Sequence, residues 1–459
     1  MSSFSIENFG CRATQADTAA IERQLLERGF QLVPSHAASE VVVLNTCTVT
    51  ASADTQARQA IRQIHRVNPA ARIIVTGCYA QRAPEELAEL EGVAWVVGNS
   101  HQAEIPRLLE RSFPARPALP GFVPLAELCA EPLSLSRAPA KILTGDIFEQ
   151  TTVQPAPLAG GEGERTRPIL KIQDGCNNRC AYCVIPFVRG RSRSMPPPVV
   201  VEEVRRLARA GYKEIVLSGI NLGSYGRDLV PRCDLESALR RILEETPLAR
   251  LRLSSIEPMD ITGDLVGLIA STSRLAPHFH VPLQSGSDRI LKAMHRWYRT
   301  EHYARRIEFI RERLPDAAIG ADVLTGFPGE TEDDHLATLD FLRALPFTYL
   351  HVFSFSKRPG TAAAEMAAEV APAVLKRRAQ ELRALGAEKS SAFRASQVGR
   401  RLRVLTLHRS GQGWTEALSE NYLRIRAAGR WPANEWLDVC SPRDPLQPVV
   451  ATPLAPVQP

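Results

Sequence analysis

The chain has 459 residues, 44% of them hydrophobic and 23% charged, which is the composition of a soluble globular protein of roughly two to four domains. No apolar run approaches the ~20 residues of a membrane span, and the start MSSFSIENFG lacks the basic-then-apolar pattern of a secretory signal, so no membrane partner and a cytosolic location are expected. In a reducing compartment the nine cysteines, an odd number, argue for metal binding or catalysis over a disulfide framework, and the formal net charge of +6 points to an anionic partner.

Residues 1–112 read as alternating strand and helix. Val41–Asn45, Arg72–Thr76 and Val93–Val97 are short apolar runs rich in β-branched residues. Ala51–Val67 has helical character and is ended by Asn68-Pro69, and Pro84–Leu90 starts a further helix with proline in its first turn. Such alternation predicts an open parallel sheet with helices packed on it. Residues 113–164 are dense in proline and glycine without periodicity and read as a linker.

Residues 165–395 return to strand–helix alternation. Strands are expected at Ile169–Gln173, Glu214–Leu217, Arg250–Ser254, His278–Leu283, Ala318–Leu324 and Leu350–Phe355. Between them lie amphipathic helices, such as the one marked by Val200, Val204, Leu207 and Ala208 and stopped by Gly211. These β–α units predict a partial (β/α)6 barrel, whose site lies at the C-terminal ends of its strands. Residues 396–459 switch to short strands in RRLRVLTL, WTEALSENYLRIRA and EWLDVC, read as a small all-β barrel with a tail. Arg400, Arg401, Arg403, Arg409, Arg424, Arg426 and Arg430 crowd it, with Trp414 and Tyr422 among them, a composition suited to single-stranded nucleic acid; a solvated surface of an ordinary barrel is the competing reading.

Cys176, Cys180 and Cys183 carry the spacing C-x3-C-x2-C just past the first barrel strand. Three thiolates on one tight loop can hold three irons of a 4Fe–4S cube, leaving the fourth iron open. S-adenosylmethionine can chelate that iron through its amino and carboxylate groups, and an electron from the cluster then breaks the sulfonium C–S bond to give a 5′-deoxyadenosyl radical. Tyr182 is placed to pack near the adenine. Zinc is the competing reading, but a closed zinc site needs four ligands and no fourth Cys or His lies nearby in sequence.

Cys11, Cys47 and Cys78 follow the first, second and third strands of the N-terminal block, in NFGC, VVVLNTC and RIIVTGC. All three are therefore expected along the C-terminal edge of one parallel sheet, where open α/β sheets bind ligands. A second three-thiolate cluster suits them better than three buried core residues. Cys129, Cys233 and Cys440 show no pattern, and His278 and His280 read as satisfied interior histidines.

The segments GCRATQAD, NTCTVTASAD, VTGCYAQ, DGCNNRCAYCVIPFVRGRSRS, IVLSGINLGSYG, LSSIEP, HVPLQSGSDRILKAMHRWY, DVLTGFPGET and FSFSKRPGT together resemble the methylthiotransferase family of radical S-adenosylmethionine (SAM) enzymes along nearly the whole chain. The C-terminal block looks like a TRAM domain, an RNA-binding β-barrel. The resemblance implies a methylthiotransferase domain over 1–112, a radical SAM core over 165–395 and a TRAM-like barrel from 396. It implies two 4Fe–4S clusters, a radical-generating one on Cys176, Cys180 and Cys183 and an auxiliary, sulfur-carrying one on Cys11, Cys47 and Cys78. SAM would be lined by Tyr182, Gly219, Asn221, Glu257 and Gln284.

NTCTVT followed by AD looks most like the branch acting on N6-threonylcarbamoyladenosine beside the tRNA anticodon. The implied reaction is 2-methylthiolation of that base in the anticodon loop, with an electron donor such as flavodoxin or ferredoxin. The alternatives are the branches acting on isopentenyladenosine in tRNA or on a ribosomal-protein aspartate, and, in another class, a non-catalytic RNA-binding iron–sulfur protein. One departure stands out: the first motif of the family usually reads GCR-x-N, and Thr14 replaces that Asn here.

Overall fold

The structure is a computed structural model that describes residues 2–112, 140–153 and 166–453. These fall into two compact units, 2–150 with Phe187–Arg189, and 151–186 with 190–453. No helix among the described residues is long and apolar enough to cross a membrane.

The first unit is built on one parallel sheet. Its strands are β1 (Ser3–Phe9), β2 (Gln31–Leu32), β3 (Val41–Thr46), β4 (Arg72–Gly77), β5 (Val93–Gly98) and β6 (Lys141–Leu143), in the order β2-β1-β3-β4-β5-β6. β3 is buried along its whole length. Val41 and Val43 pack with Ile21, Leu25, Ile105 and Leu109, while Val42 and Leu44 pack with Ala57, Ile61 and Ile64. Helices thus cover both faces, which is why VVVL is a continuous apolar run rather than an alternating one. The helix Ala51–Val67 begins where the Thr50 hydroxyl accepts the Ala53 N–H at 3.2 Å, a cap whose loss costs ~1 kcal/mol.

One expectation needs correcting. β6 lies inside the stretch read as a linker, yet it pairs in parallel with Trp95–Val97 and extends the first unit to residue 150. The KIL run is three residues long, too short to show a period, so periodicity could not single it out. The rest of that stretch, 113–139 and 154–165 with Cys129 in it, lies outside the described residues.

The second unit opens with six parallel strands in chain order: β7 (Ile169–Lys171), β10 (Glu214–Ser218), β11 (Arg250–Leu253), β12 (His278–His280), β13 (Ala318–Thr325) and β14 (Tyr349–Ser354). A short antiparallel pair, β8 (Gln173–Asp174) and β9 (Arg193–Ser194), follows β7. β11 and β12 are joined by bridges at Leu251↔Leu275 and Ser255↔His280, so two three-stranded ladders form one partial barrel. β12 stops earlier than the sequence suggested because Pro282 cannot donate to a ladder. The helices Pro197–Arg209 and Leu235–Glu245 pack Val200, Val204, Leu207, Leu239 and Ile242 onto it.

The C-terminal residues form an antiparallel sheet, β17-β16-β15-β18-β19, from β15 (Arg401–Gly411), β16 (Trp414–Ser419), β17 (Arg424–Ala428), β18 (Trp436–Cys440) and β19 (Ala451–Pro453). The sheet curls, and Val449 joins its edge strand by bonds to Ala428 and Arg426 of 2.7 and 2.9 Å. It is thus a curled half-barrel. WTEALSENYLRIRA, one run in the sequence, is two strands joined by a turn through Tyr422 at φ +69°.

Candidate iron–sulfur and nucleotide sites

In the first unit Cys11 follows β1, Cys47 follows β3 and Cys78 follows β4. β1, β3 and β4 are neighbours in the sheet, so all three thiols stand at the C-terminal edge of adjacent strands. Cys47 and Cys78 are buried and Cys11 is exposed. Burial pushes the Cys47 thiol up to about 12, with the nearby Cys78 and Cys11 adding to it. Cys78 is likewise raised by burial, and opposed by Arg189 and the Asn99 amide, which donates to its sulfur at 3.6 Å. Arg189 is itself buried and paired with Asp17 at 2.8 Å. A thiol so shielded becomes a thiolate only beside a cation, the condition an iron site supplies.

Thr14 sits directly under this edge, fully buried. Its hydroxyl donates to Cys11 O at 2.8 Å, and its own carbonyl accepts the Asn45 amide at 2.9 Å.

In the second unit Cys176, Cys180 and Cys183 occupy the loop after β8. Gly175 opens that loop at φ +71°, and a Cβ there would stand 1.9 Å from Arg191 O. Only glycine allows this turn. The loop is pinned along its length: Cys176 N–H donates to Gly190 O, Ala181 N–H to Met294 O and Ala363 N–H to Ala181 O. Burial raises Cys176 to about 11 and Cys183 to about 12.

Two residues beneath the loop escaped sequence reasoning. The Gln173 amide donates to Asp174 O, Gly175 O and Ser192 Oγ, and its carbonyl accepts the Asn221 N–H at 2.8 Å. Asp174 accepts Lys171 at 2.7 Å, Arg193 at 3.2 Å and Gly175 N–H at 2.8 Å. Gln173 thereby ties the cysteine loop to the Gly219–Asn221 segment.

The remaining expected residues are placed by separate routes. Gly219 lies against Gln173, and Asn221 Oδ1 is buried with no hydrogen-bond partner among the described residues. Glu257 pairs with Arg296, whose other nitrogen donates to Cys180 Sγ at 3.3 Å. Burial nevertheless leaves the Glu257 carboxyl raised. Gln284 is bonded to Asp322 and Leu324 in a left-handed conformation at φ +73°, the local strain that collects at ligand sites. Tyr182 packs with Ile290, Met294, Leu324 and Phe327. Arg296 had no sequence signal, because it lies 116 residues from the cysteine it touches.

The donor set fits iron–sulfur clusters better than zinc. Thiolates on one zinc stand ~3.8 Å apart, given Zn–S ≈ 2.3 Å. Among the described residues no three cysteine sulfurs lie within 4.8 Å of one another. The orphaned Asn221 carbonyl and the Glu257 carboxyl offer acceptors for an ammonium, as an aminocarboxylate ligand requires.

The C-terminal arginines are less free than composition suggested. Arg401 pairs with Asp438, Arg400 with Asp316, and Arg409 and Arg424 with Glu416. A cleft of about 310 Å³ remains between Arg394, Arg409, Trp414, Arg424 and Arg426, with the Arg426 guanidinium 4.4 Å above the Trp414 ring.

Two family models match the chain. Residues 3–98 match the uncharacterized protein family UPF0004 and residues 170–342 the radical SAM superfamily. The chain is 37% identical to a threonylcarbamoyladenosine tRNA methylthiotransferase, MtaB, of Aquifex aeolicus, over 93% of this chain and 96% of the relative. It is 36% identical to the Bacillus subtilis protein of the same name, over 86% and 83%. It is 35% identical to a tRNA-2-methylthio-N(6)-dimethylallyladenosine synthase of Thermobifida fusca, over 89% and 78%. Among solved structures it is similar in fold to the radical SAM methyltransferase TsrM of Kitasatospora setae, with a TM-score of 0.54, 18% identity, and coverage of 79% and 77%.

Proposed function

The chain belongs to the radical SAM tRNA methylthiotransferase family, and from that premise we infer that it converts N6-threonylcarbamoyladenosine beside the tRNA anticodon into its 2-methylthio derivative. The observation that supports the reading is two groups of three cysteines, Cys11, Cys47 and Cys78 after three neighbouring parallel strands and Cys176, Cys180 and Cys183 on the loop after β8. When bound, a cluster on Cys176, Cys180 and Cys183 supplies one-electron cleavage of SAM, and a second on Cys11, Cys47 and Cys78 supplies the sulfur.

The protein's own part is positional. The adenine C2–H is not acidic, so no acid–base pair is asked to activate it. Gln173 and Asp174 hold the cysteine loop against Gly219 and Asn221. Glu257 and Arg296 set charge beside Cys180, and Gln284 offers its side chain from a strained turn. In this reading Tyr182, Gly219, Asn221, Glu257 and Gln284 line SAM. The cleft around Trp414 and Arg426 takes the anticodon loop, whose unpaired bases cost little to turn out. Electrons come from a donor such as flavodoxin or ferredoxin, and the location is cytosolic with the tRNA.

Mass spectrometry of tRNA nucleosides from cells with and without the gene tests this. Loss of 2-methylthio-N6-threonylcarbamoyladenosine, with its unthiolated parent accumulating, is expected. Loss of the isopentenyl-type methylthio nucleoside instead would move the chain to the other tRNA branch. Full activity in Cys47→Ala would remove the auxiliary-cluster role.

A further inference from the structure

Next to Gln284, whose N–H donates to Asp322 O, three side chains from adjacent barrel strands converge. His280 ends β12, Asp322 lies in β13 and His351 in β14, with Asp322 and His351 directly paired in the ladder. His280 Nε2 stands 2.8 Å from Asp322 Oδ1, and His351 Nδ1 stands 3.3 Å from the same oxygen. All three donor atoms lie within 4.8 Å of one another. Ligands held ~2.1 Å from one ion at octahedral or tetrahedral angles are ~3.0–3.4 Å apart; the His351–Asp322 separation falls in that range and the His280–Asp322 separation just below it.

We propose that His280, Asp322 and His351 form a binding site for a divalent transition-metal cation of the Zn²⁺ or Fe²⁺ class. Two imidazole nitrogens and one carboxylate oxygen favour those ions over Mg²⁺ or Ca²⁺, which want oxygen cages.

A built support orients the first ligand. The Tyr349 hydroxyl lies 3.0 Å from His280 Nδ1 and 2.8 Å from His278 Nε2. It reaches them because position 320 is glycine: a Cβ there would stand 2.0 Å from the Tyr349 ring. With His280 Nδ1–H donating to Tyr349, and Tyr349 O–H donating to His278, His280 Nε2 turns a lone pair toward the Asp322 carboxylate. A ring nitrogen and a carboxylate oxygen 2.8 Å apart share either a proton or a metal cation, and a ring nitrogen fixed by its second hydrogen bond is how metal-ligating histidines are held.

Access is graded as well. The side chains of His280, Asp322 and His351 are 8%, 22% and 52% exposed, so an ion can enter from the solvent side and keep open positions for water or an oxygen donor. The alternative occupant of the gap is a proton, which would make the constellation a protonated histidine–aspartate network.

The test uses the full chain with both clusters reconstituted and Zn²⁺ as the probe, followed by equilibrium dialysis and zinc-edge X-ray absorption, which sees zinc alone. One zinc per chain with only nitrogen and oxygen neighbours is expected. His351→Ala, at a solvent-facing position, and Asp322→Asn should each weaken binding at least tenfold, with cluster iron and thermal unfolding unchanged. No saturable zinc, a sulfur-containing shell, or unchanged affinity in both variants would overturn the proposal.

Discussion

Gly175 has the closest Cβ approach to backbone among the described glycines. Alanine there meets both the αL penalty of ~1–3 kcal/mol and the Arg191 carbonyl. Gly175→Ala should therefore lose the cluster proposed for Cys176, Cys180 and Cys183 and keep the one proposed for the first unit. Iron analysis after reconstitution would fall toward the content of one cluster, and full iron would contradict the argument. Thr14 is a milder case. Thr14→Val keeps the shape and removes one buried hydroxyl bond to Cys11 O, so a loss of ~1 kcal/mol is expected by denaturant unfolding with iron retained. At this scale the positions of the cysteines just past strand ends were legible, because strands and the residues that follow them can be read from short apolar runs. Arg189, Arg296 and Gln173 were not, because their roles depend on contacts between residues far apart in the chain.

At the scale of elements, the connection between the cysteine loop and the strand ends runs through one amide. Gln173→Ala removes three donated bonds and the acceptor for Asn221 N–H. The loop keeps its anchors at Met294 and Ala363, so iron should stay while SAM affinity falls about tenfold, or ~1.4 kcal/mol. Equilibrium binding of SAM to the reconstituted variant measures this, and an unchanged isotherm would show that Gln173 does not place the ligand. The barrel strands were readable as buried apolar runs flanked by helical periodicity. β6 was not, since three residues in a Pro/Gly-rich context carry no period. The β16–β17 turn was hidden for another reason: SENY has no glycine, and Tyr422 supplies the positive φ instead.

Over the whole second unit, one buried carboxylate holds two layers together. Glu214 is fully buried and accepts Arg167, Arg250 and Arg252. Arg252 donates onward to Ser419 O and Glu420 O, and Arg250 lies 4.3 Å over the Trp436 ring. Burial alone would raise the Glu214 carboxyl, but the three guanidiniums outweigh it and hold it far below the usual carboxylate range. A depressed carboxyl contributes stability that is complete above its unfolded pKa and is lost as pH falls through the folded one. The stability gap between wild type and Glu214→Gln should therefore be flat from pH 8 to ~5 and narrow only in acid below ~4.3. Glu214→Ala, which strands buried arginines, should cost ~3–5 kcal/mol. A gap that narrowed near neutrality would rule out this role for Glu214.

The guanidiniums of β11 have a consequence for how such chains can diverge. They spend donors on backbone carbonyls of the C-terminal sheet, which any sequence there would present, but they also need the Trp436 and Tyr422 rings in register. The C-terminal sheet is therefore not a detachable cassette. Swapping it between relatives at residue 396 would succeed only if the barrel's arginine pair and the module's two aromatics travelled together, so these positions should be inherited as a block.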